Sequence, residues 1–197
     1  MKRRAAIAAA VLALAGATAV EAKNISGTKR ADNIAGTSAA DKIVGRGGND
    51  RIDGRRGNDR VYGNDGDDRL SGSEGDDTLV GGAGLDTLLG GNDDDKLRGD
   101  AGNDKVVGGL RDDDVDGGAG NDRVTAGPGV DLVLGGDGDD VVNGGEGEDD
   151  IFGGAGNDTI QARDSGDDTI DCGDGEDTVL VDDQEDGVFD CETVVLP

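Results

Sequence analysis

From Ile34 onward the chain sets an aliphatic residue at every ninth position: Ile34, Ile43, Ile52, Val61, Leu70, Leu79, Leu88, Leu97, Val106, Val115, Val124, Val133, Val142, Ile151 and Ile160. Fifteen frames of nine, opening at Gly27 and closing at Gln161, keep this position without an insertion. Its neighbours are often polar, as in Arg51-Ile52-Asp53. Polar–apolar–polar alternation over three residues predicts a short strand with the middle side chain facing inward. The other six residues of each frame are rich in glycine, which predicts a sharp turn. The first position is glycine in fourteen frames, with Ala126 the exception. The fourth is glycine in eleven, with Arg30, Ala39, Asp93 and Arg111 in its place. One frame alone buries too little apolar surface to fold. Stacked frames would join their aliphatic residues into a column, which is the logic of a solenoid. The pattern predicts an all-β chain.

A second column runs beside the first. The sixth position is aspartate in all fifteen frames: Asp32, Asp41, Asp50, Asp59, Asp68, Asp77, Asp86, Asp95, Asp104, Asp113, Asp122, Asp131, Asp140, Asp149 and Asp158. Stacked strands repeat at about 4.7–4.9 Å, so these carboxylates would repel one another along each column. A solvated acidic face does not explain why each follows a glycine-rich turn. Such turns expose backbone carbonyls. Carboxylate and carbonyl oxygens are hard donors, suited to Ca²⁺. Zinc and copper prefer nitrogen or sulfur, and magnesium gives up its water reluctantly. Calcium is the expected cofactor.

Composition alone would also fit disorder: 39 glycines in 197 residues, 2% aromatics and net charge −26. The unbroken frame decides against that. The chain has no histidine, which removes the commonest general base. It shows no nucleophile elbow and no non-repeat region large enough for a pocket, so no enzymatic role is expected. The acidic balance argues against nucleic acid.

Residues 1–22 read as a secretory signal peptide. Lys2, Arg3 and Arg4 precede an apolar stretch from Ala5 to Ala15, too short to span a bilayer comfortably. Val20-Glu21-Ala22 offers a small-x-small cleavage site, with Ala17-Thr18-Ala19 as a rival. A secreted monomer starting at Lys23, with no membrane span, is expected. Removing 1–22 leaves 16 basic and 44 acidic side chains, net −28. Charge is uneven: residues 23–71 carry net +2 and residues 72–197 net −30. Lys42, Arg51, Arg60 and Arg69 are among the basic side chains of the first part. Charge balance is the simpler reading, and docking on an anionic envelope polymer is the sharper one. An ice-binding array of Thr and Asn fails, because Thr28 and Thr37 begin a row that Arg46, Arg55 and Asn64 end.

Beyond Gln161 the frame slips by one residue, while Asp168-Thr169-Ile170 and Asp177-Thr178-Val179 keep the rhythm. Residues 162–197 therefore read as degenerate repeats and a cap, after a repeat region over 23–161. Cys172 and Cys191 are the two cysteines. In an exported chain they most simply form one disulfide, since their spacing is not Cys-x-x-Cys. Val188 and Phe189 are expected to cover the end of the column.

The frame resembles the RTX (repeats-in-toxin), or hemolysin-type, nonapeptide Gly-Gly-x-Gly-x-Asp-x-aliphatic-x. Full matches to its first six positions begin at Gly81, Gly117, Gly135, Gly144 and Gly153. The resemblance implies a parallel β-roll, a right-handed β-solenoid with two nonapeptides per coil turn, so that fifteen frames stack on alternate neighbours and allow at most thirteen calcium ions, which would bring the mature net charge to about −2. It implies calcium between stacked turns, held by the sixth-position aspartates from Asp50 to Asp158 and by turn carbonyls. Asp86 and Asp104 would edge one side, Asp77 and Asp95 the other. The stretch from Asp171 to Val194 resembles the C-terminal cap of secreted bacterial members. Frames 27–35 and 36–44 lack the fourth glycine, so their sites are expected to be weak or empty. Asp93 suits the left-handed region better than Arg111 does.

Overall fold

A computed structural model of the chain describes residues 21–164, 166–181 and 187–196. The signal peptide expected over 1–22 lies outside these residues, except for Glu21 and Ala22. The described chain is all strand, wound as a parallel β-roll. Two ten-stranded sheets form, one from the odd-numbered strands and one from the even. Each strand therefore pairs with the strand two frames away. Lys42 of β3 (Lys42–Gly47) lies opposite Arg60 of β5 (Arg60–Asp65), eighteen residues on. Arg51 of β4 (Arg51–Arg56) lies opposite Arg69 of β6 (Arg69–Glu74) on the other sheet.

The strands are longer than the alternation predicts. From β3 to β15 (Asp150–Ala155) each has six residues, running from the seventh position of one frame to the third of the next. Only positions four to six turn. Glycine at the first two positions reads as loop in isolation, because its backbone is so permissive. Stacking imposes extended pairing there: Gly118 lies opposite Asp100 and Gly136 within one sheet. The reason for glycine is closeness. A Cβ on Gly81 would stand 2.7 Å from the Gly99 carbonyl oxygen of the next coil.

The core is a single file of aliphatic residues on each sheet. All fifteen eighth-position side chains are buried, and Ile170 and Val179 continue the column. First-position side chains join it where they exist, at Ala126, Ala162, Cys172 and Val181. The one-residue slip after Gln161 is absorbed in a turn. Ile151 pairs with Ile170 nineteen residues on, yet strand register and inward-facing residues are preserved. The last strands, Gly187–Phe189 and Thr193–Val195, add to the same two sheets.

Cys172 and Cys191 form the expected disulfide, with Cα atoms 5.2 Å apart. It ties the final strands to a buried first position. Val188 packs against the core and aligns with Ile170, as expected. Phe189 does not: it is 57% exposed. Alternation explains the difference, since Phe189 follows an inward residue and must point out.

Two stability predictions follow from the core file and the disulfide. Leu88→Ala, in the centre of the file, should lower the unfolding free energy by about 2–5 kcal/mol in chemical denaturation. Leu85→Ala, on an exposed turn, should change it by less than about 0.5 kcal/mol. Joint replacement of Cys172 and Cys191 by Ala should cost about 3 kcal/mol, from loop-closure entropy.

Candidate metal centre

The sixth-position aspartate lies between a turn and the strand that follows it. Alternation across that junction turns its side chain inward, toward the first position of its own frame. There glycine leaves the space. A Cβ on Gly117 would stand 2.7 Å from Asp122 Oδ2, and one on Gly135 2.8 Å from Asp140 Oδ2. The corresponding distances are 2.5 Å from Gly144 to Asp149 and 2.7 Å from Gly153 to Asp158, and Gly81 crowds Asp86 in the same way. The five glycines that open full motifs thus seat five carboxylates. Ala126 is an accommodated exception, with its methyl buried and Asp131 still in place.

The carboxylates are not a solvated face. Asp41, Asp50, Asp59, Asp68, Asp77, Asp86, Asp95, Asp104, Asp113, Asp122, Asp131, Asp140, Asp149, Asp158, Asp168 and Asp177 are each at most 3% exposed. Their two oxygens differ. Oδ1 accepts a hydrogen bond from the aspartate N–H one coil earlier. Asp86 N–H donates to Asp104 Oδ1 at 2.7 Å on one side, and Asp77 N–H to Asp95 Oδ1 at 2.8 Å on the other. The same bond recurs from Asp32–Asp50 to Asp158–Asp177. Oδ2 is buried with no hydrogen-bond partner in fourteen of these residues: Asp50, Asp59, Asp68, Asp77, Asp86, Asp95, Asp104, Asp113, Asp122, Asp131, Asp140, Asp149, Asp158 and Asp177. All thirteen sequence-predicted aspartates share this state. Asp177 joins them, although the slip hides it from a strict nine-residue frame.

A buried, half-satisfied carboxylate is costly as an anion. Burial drives the Asp95 carboxyl up to about 8, against the N–H bond from Asp77, with the Asp77 and Asp113 charges adding to the rise. Asp77, Asp86, Asp113 and Asp140 are pushed to about 7 by the same burial and by stacked neighbours. Asp59, Asp68, Asp122, Asp131 and Asp149 rise to about 6. Burial also raises Asp50, Asp104 and Asp158. The fold therefore asks for a positive charge or a proton beside each Oδ2.

Among the described residues, no three acidic or cysteine side chains converge on one point. Carboxylates alone do not make a cage, so any further donors would have to come from the backbone. A carbonyl shares the space beside Asp113, since a Cβ on Gly108 would stand 2.5 Å from Asp113 Oδ2 and 2.9 Å from the Ala126 carbonyl oxygen. Positions two and four stack directly on the carbonyl oxygens of the coil below, as Gly66 does beneath Gly84 and Asn64 beneath Gly82. An all-oxygen set of carboxylate and carbonyl donors fits a hard divalent cation.

Arg111 is the less suited of the two later replacements at the fourth position, and the coil accommodates both. Asp93 and Arg111 replace the fourth glycine yet take its left-handed backbone, with φ of 76° and 84°. Asp93 Oδ2 even accepts a hydrogen bond from Gly75 N–H of the coil below. Their carboxylates Asp95 and Asp113 are as unpartnered as the rest. The fifth position also carries order that no motif flagged. Asp67, Leu85, Asn121, Asp139, Asn157 and Glu176 each donate a backbone N–H to the Asn or Asp one coil earlier. This polar ladder supports the turns along one edge.

The profile of the RTX calcium-binding nonapeptide repeat, four copies to a match, fits residues 26–61, 62–97, 89–124, 98–133 and 125–160. Comparison with curated proteins returns no significant match. The matched stretches run through the same frames that seat the buried aspartates and cover well over half the chain. By sequence profile and by β-roll architecture, the chain belongs to the RTX calcium-binding nonapeptide-repeat family.

Proposed function

We propose that this protein is exported unfolded and winds into its β-roll on meeting extracellular calcium, serving outside the cell as a structural or surface-interaction module. The observation that carries this reading is the set of fourteen buried Oδ2 atoms with no partner. Calcium supplies the positive charge those oxygens lack. Asp50, Asp59, Asp68, Asp77, Asp86, Asp95, Asp104, Asp113, Asp122, Asp131, Asp140, Asp149 and Asp158 hold it, with Asp177 added by its geometry. The first-position glycines, including Gly81, Gly117, Gly135, Gly144 and Gly153, keep the carboxylates seated. The net charge of −28 after leader removal makes the ion-free chain self-repelling. Binding and folding are then one coupled event. Export is favoured by the 1–22 pattern and by the disulfide. Among the described residues no helix is long and apolar enough to cross a membrane.

A second role rests on the basic end. Arg51 and Arg69 flank a shallow groove lined also by Asp53, Ser71, Ser73 and Leu89. An anionic envelope polymer would suit such a row. Pull-down with that polymer should retain the wild type and lose a variant with Arg51, Arg55, Arg56 and Arg60 changed to Gln. Equal retention sinks the docking role and leaves the calcium reading intact.

The calcium reading is tested by far-UV circular dichroism. β signal should appear as calcium is added over about 10⁻⁴–10⁻³ M, the range of extracellular modules, and vanish in chelator. A signal already complete in chelator at neutral pH contradicts coupled folding.

Protons should substitute in part. The carboxyl groups that rise in the fold favour its protonated form, so their contribution is fullest below the ordinary carboxylate range near 3.8. It is lost as pH climbs toward about 6 to 8. In chelator, acidification from pH 8 to 4 should therefore increase β signal. With calcium present, the same acidification should release the ion, as read by a calcium indicator.

A further inference from the structure

The first two frames close their turns differently, and this rests on the calcium reading above. Thr28 N–H donates to Asp32 Oδ2 at 2.6 Å, and the Thr28 hydroxyl donates to the same oxygen at 2.9 Å. Thr37 repeats both bonds to Asp41 Oδ2 at 2.6 and 2.9 Å. Each hydroxyl also accepts from the N–H of the fourth residue, Arg30 or Ala39, at 3.2 Å. Each lies 3.5 Å from that residue's carbonyl oxygen. The threonine thus stands between turn carbonyl and carboxylate, with two hydrogens aimed at Oδ2.

The next frames show why this arrangement stops. Arg46, Arg55, Asn64 and Ser73, at the same second position, take positive φ of 88°, 84°, 78° and 90°, and from Gly82 to Gly154 the position is glycine except for Asp100, which takes φ of 74°. Thr28 and Thr37 do not, and neither do Arg30 and Ala39. Where the second position is flipped, the second carboxylate oxygen has no hydrogen-bond partner, from Asp50 to Asp158 and again at Asp177. The fourth glycine is not the cause, because Asp93 and Arg111 flip without it.

We infer that Thr28 and Thr37 replace the ion in the first coil, so that Asp32 and Asp41 bind none and occupied sites begin at Asp50. A cation at either aspartate would have to displace an amide and a hydroxyl hydrogen that already compensate the charge. The first coil is then an ion-free N-terminal cap, on which the calcium-dependent coils stack.

Native mass spectrometry of the calcium-loaded protein tests this by counting ions. Asp32→Asn with Asp41→Asn should leave the count unchanged, while Asp86→Asn with Asp104→Asn should lower it. Thr28→Gly with Thr37→Gly should raise the count by one or two, because glycine frees the backbone to flip. A lower count in the Asp32/Asp41 variant overturns the inference, and so does an unchanged count in the Thr28/Thr37 variant. An unchanged count in the Asp86/Asp104 variant overturns the calcium assignment on which the inference rests.

Discussion

The structure depends on one unfinished interaction. From Asp50 to Asp158 each frame folds an aspartate inward, gives one carboxylate oxygen to the backbone of the preceding coil, and leaves the other without a donor. An isolated buried anion is among the costliest things a fold can hold. Here fourteen such oxygens recur coil after coil. The aliphatic file contributes one buried side chain per frame, drawn from Ile, Leu and Val. So thin a core does not obviously outweigh that many desolvated charges. On the proposed reading, a calcium ion beside each of these oxygens would turn the most destabilising feature of the coil into a link between coils.

Glycine serves this constraint at three places for different reasons. At the first position it makes room for the carboxylate. At the second and fourth it permits a left-handed backbone and lets one coil approach the carbonyls of the next. The occasional Arg, Asn, Ser or Asp at these last two sites shows that stacking can impose the conformation on other residues at a cost. The first position is less forgiving, because a side chain there meets the buried carboxylate rather than solvent. Over the fifteen regular frames it admits only Ala126.

The solenoid and both columns were legible in the sequence because each is strictly periodic and each position does one job, and the β-roll with two frames per turn was what the family resemblance implied. Strand length was not, since the same glycines that permit turns are here held extended by the neighbouring coil. Asp177 was obscured by a single inserted residue that the turn absorbs. The N-terminal frames stood out in the sequence by their missing fourth glycine. Arg30 and Ala39 looked like the defect, whereas the hydrogen bonds are made by Thr28 and Thr37. A second-position threonine carries no signal until the carboxylate is known to face it. Phe189 was misplaced because apolarity was weighed ahead of alternation.

The central claim concerns atoms, so the most direct measurement locates the ion. Crystals grown in calcium and measured at long wavelength would show anomalous peaks at calcium positions. The account predicts a file of peaks along each edge, each about 2.3–2.6 Å from a sixth-position Oδ2, beginning at Asp50. Peaks confined to exposed acidic side chains, with the buried Oδ2 file unoccupied, would contradict it.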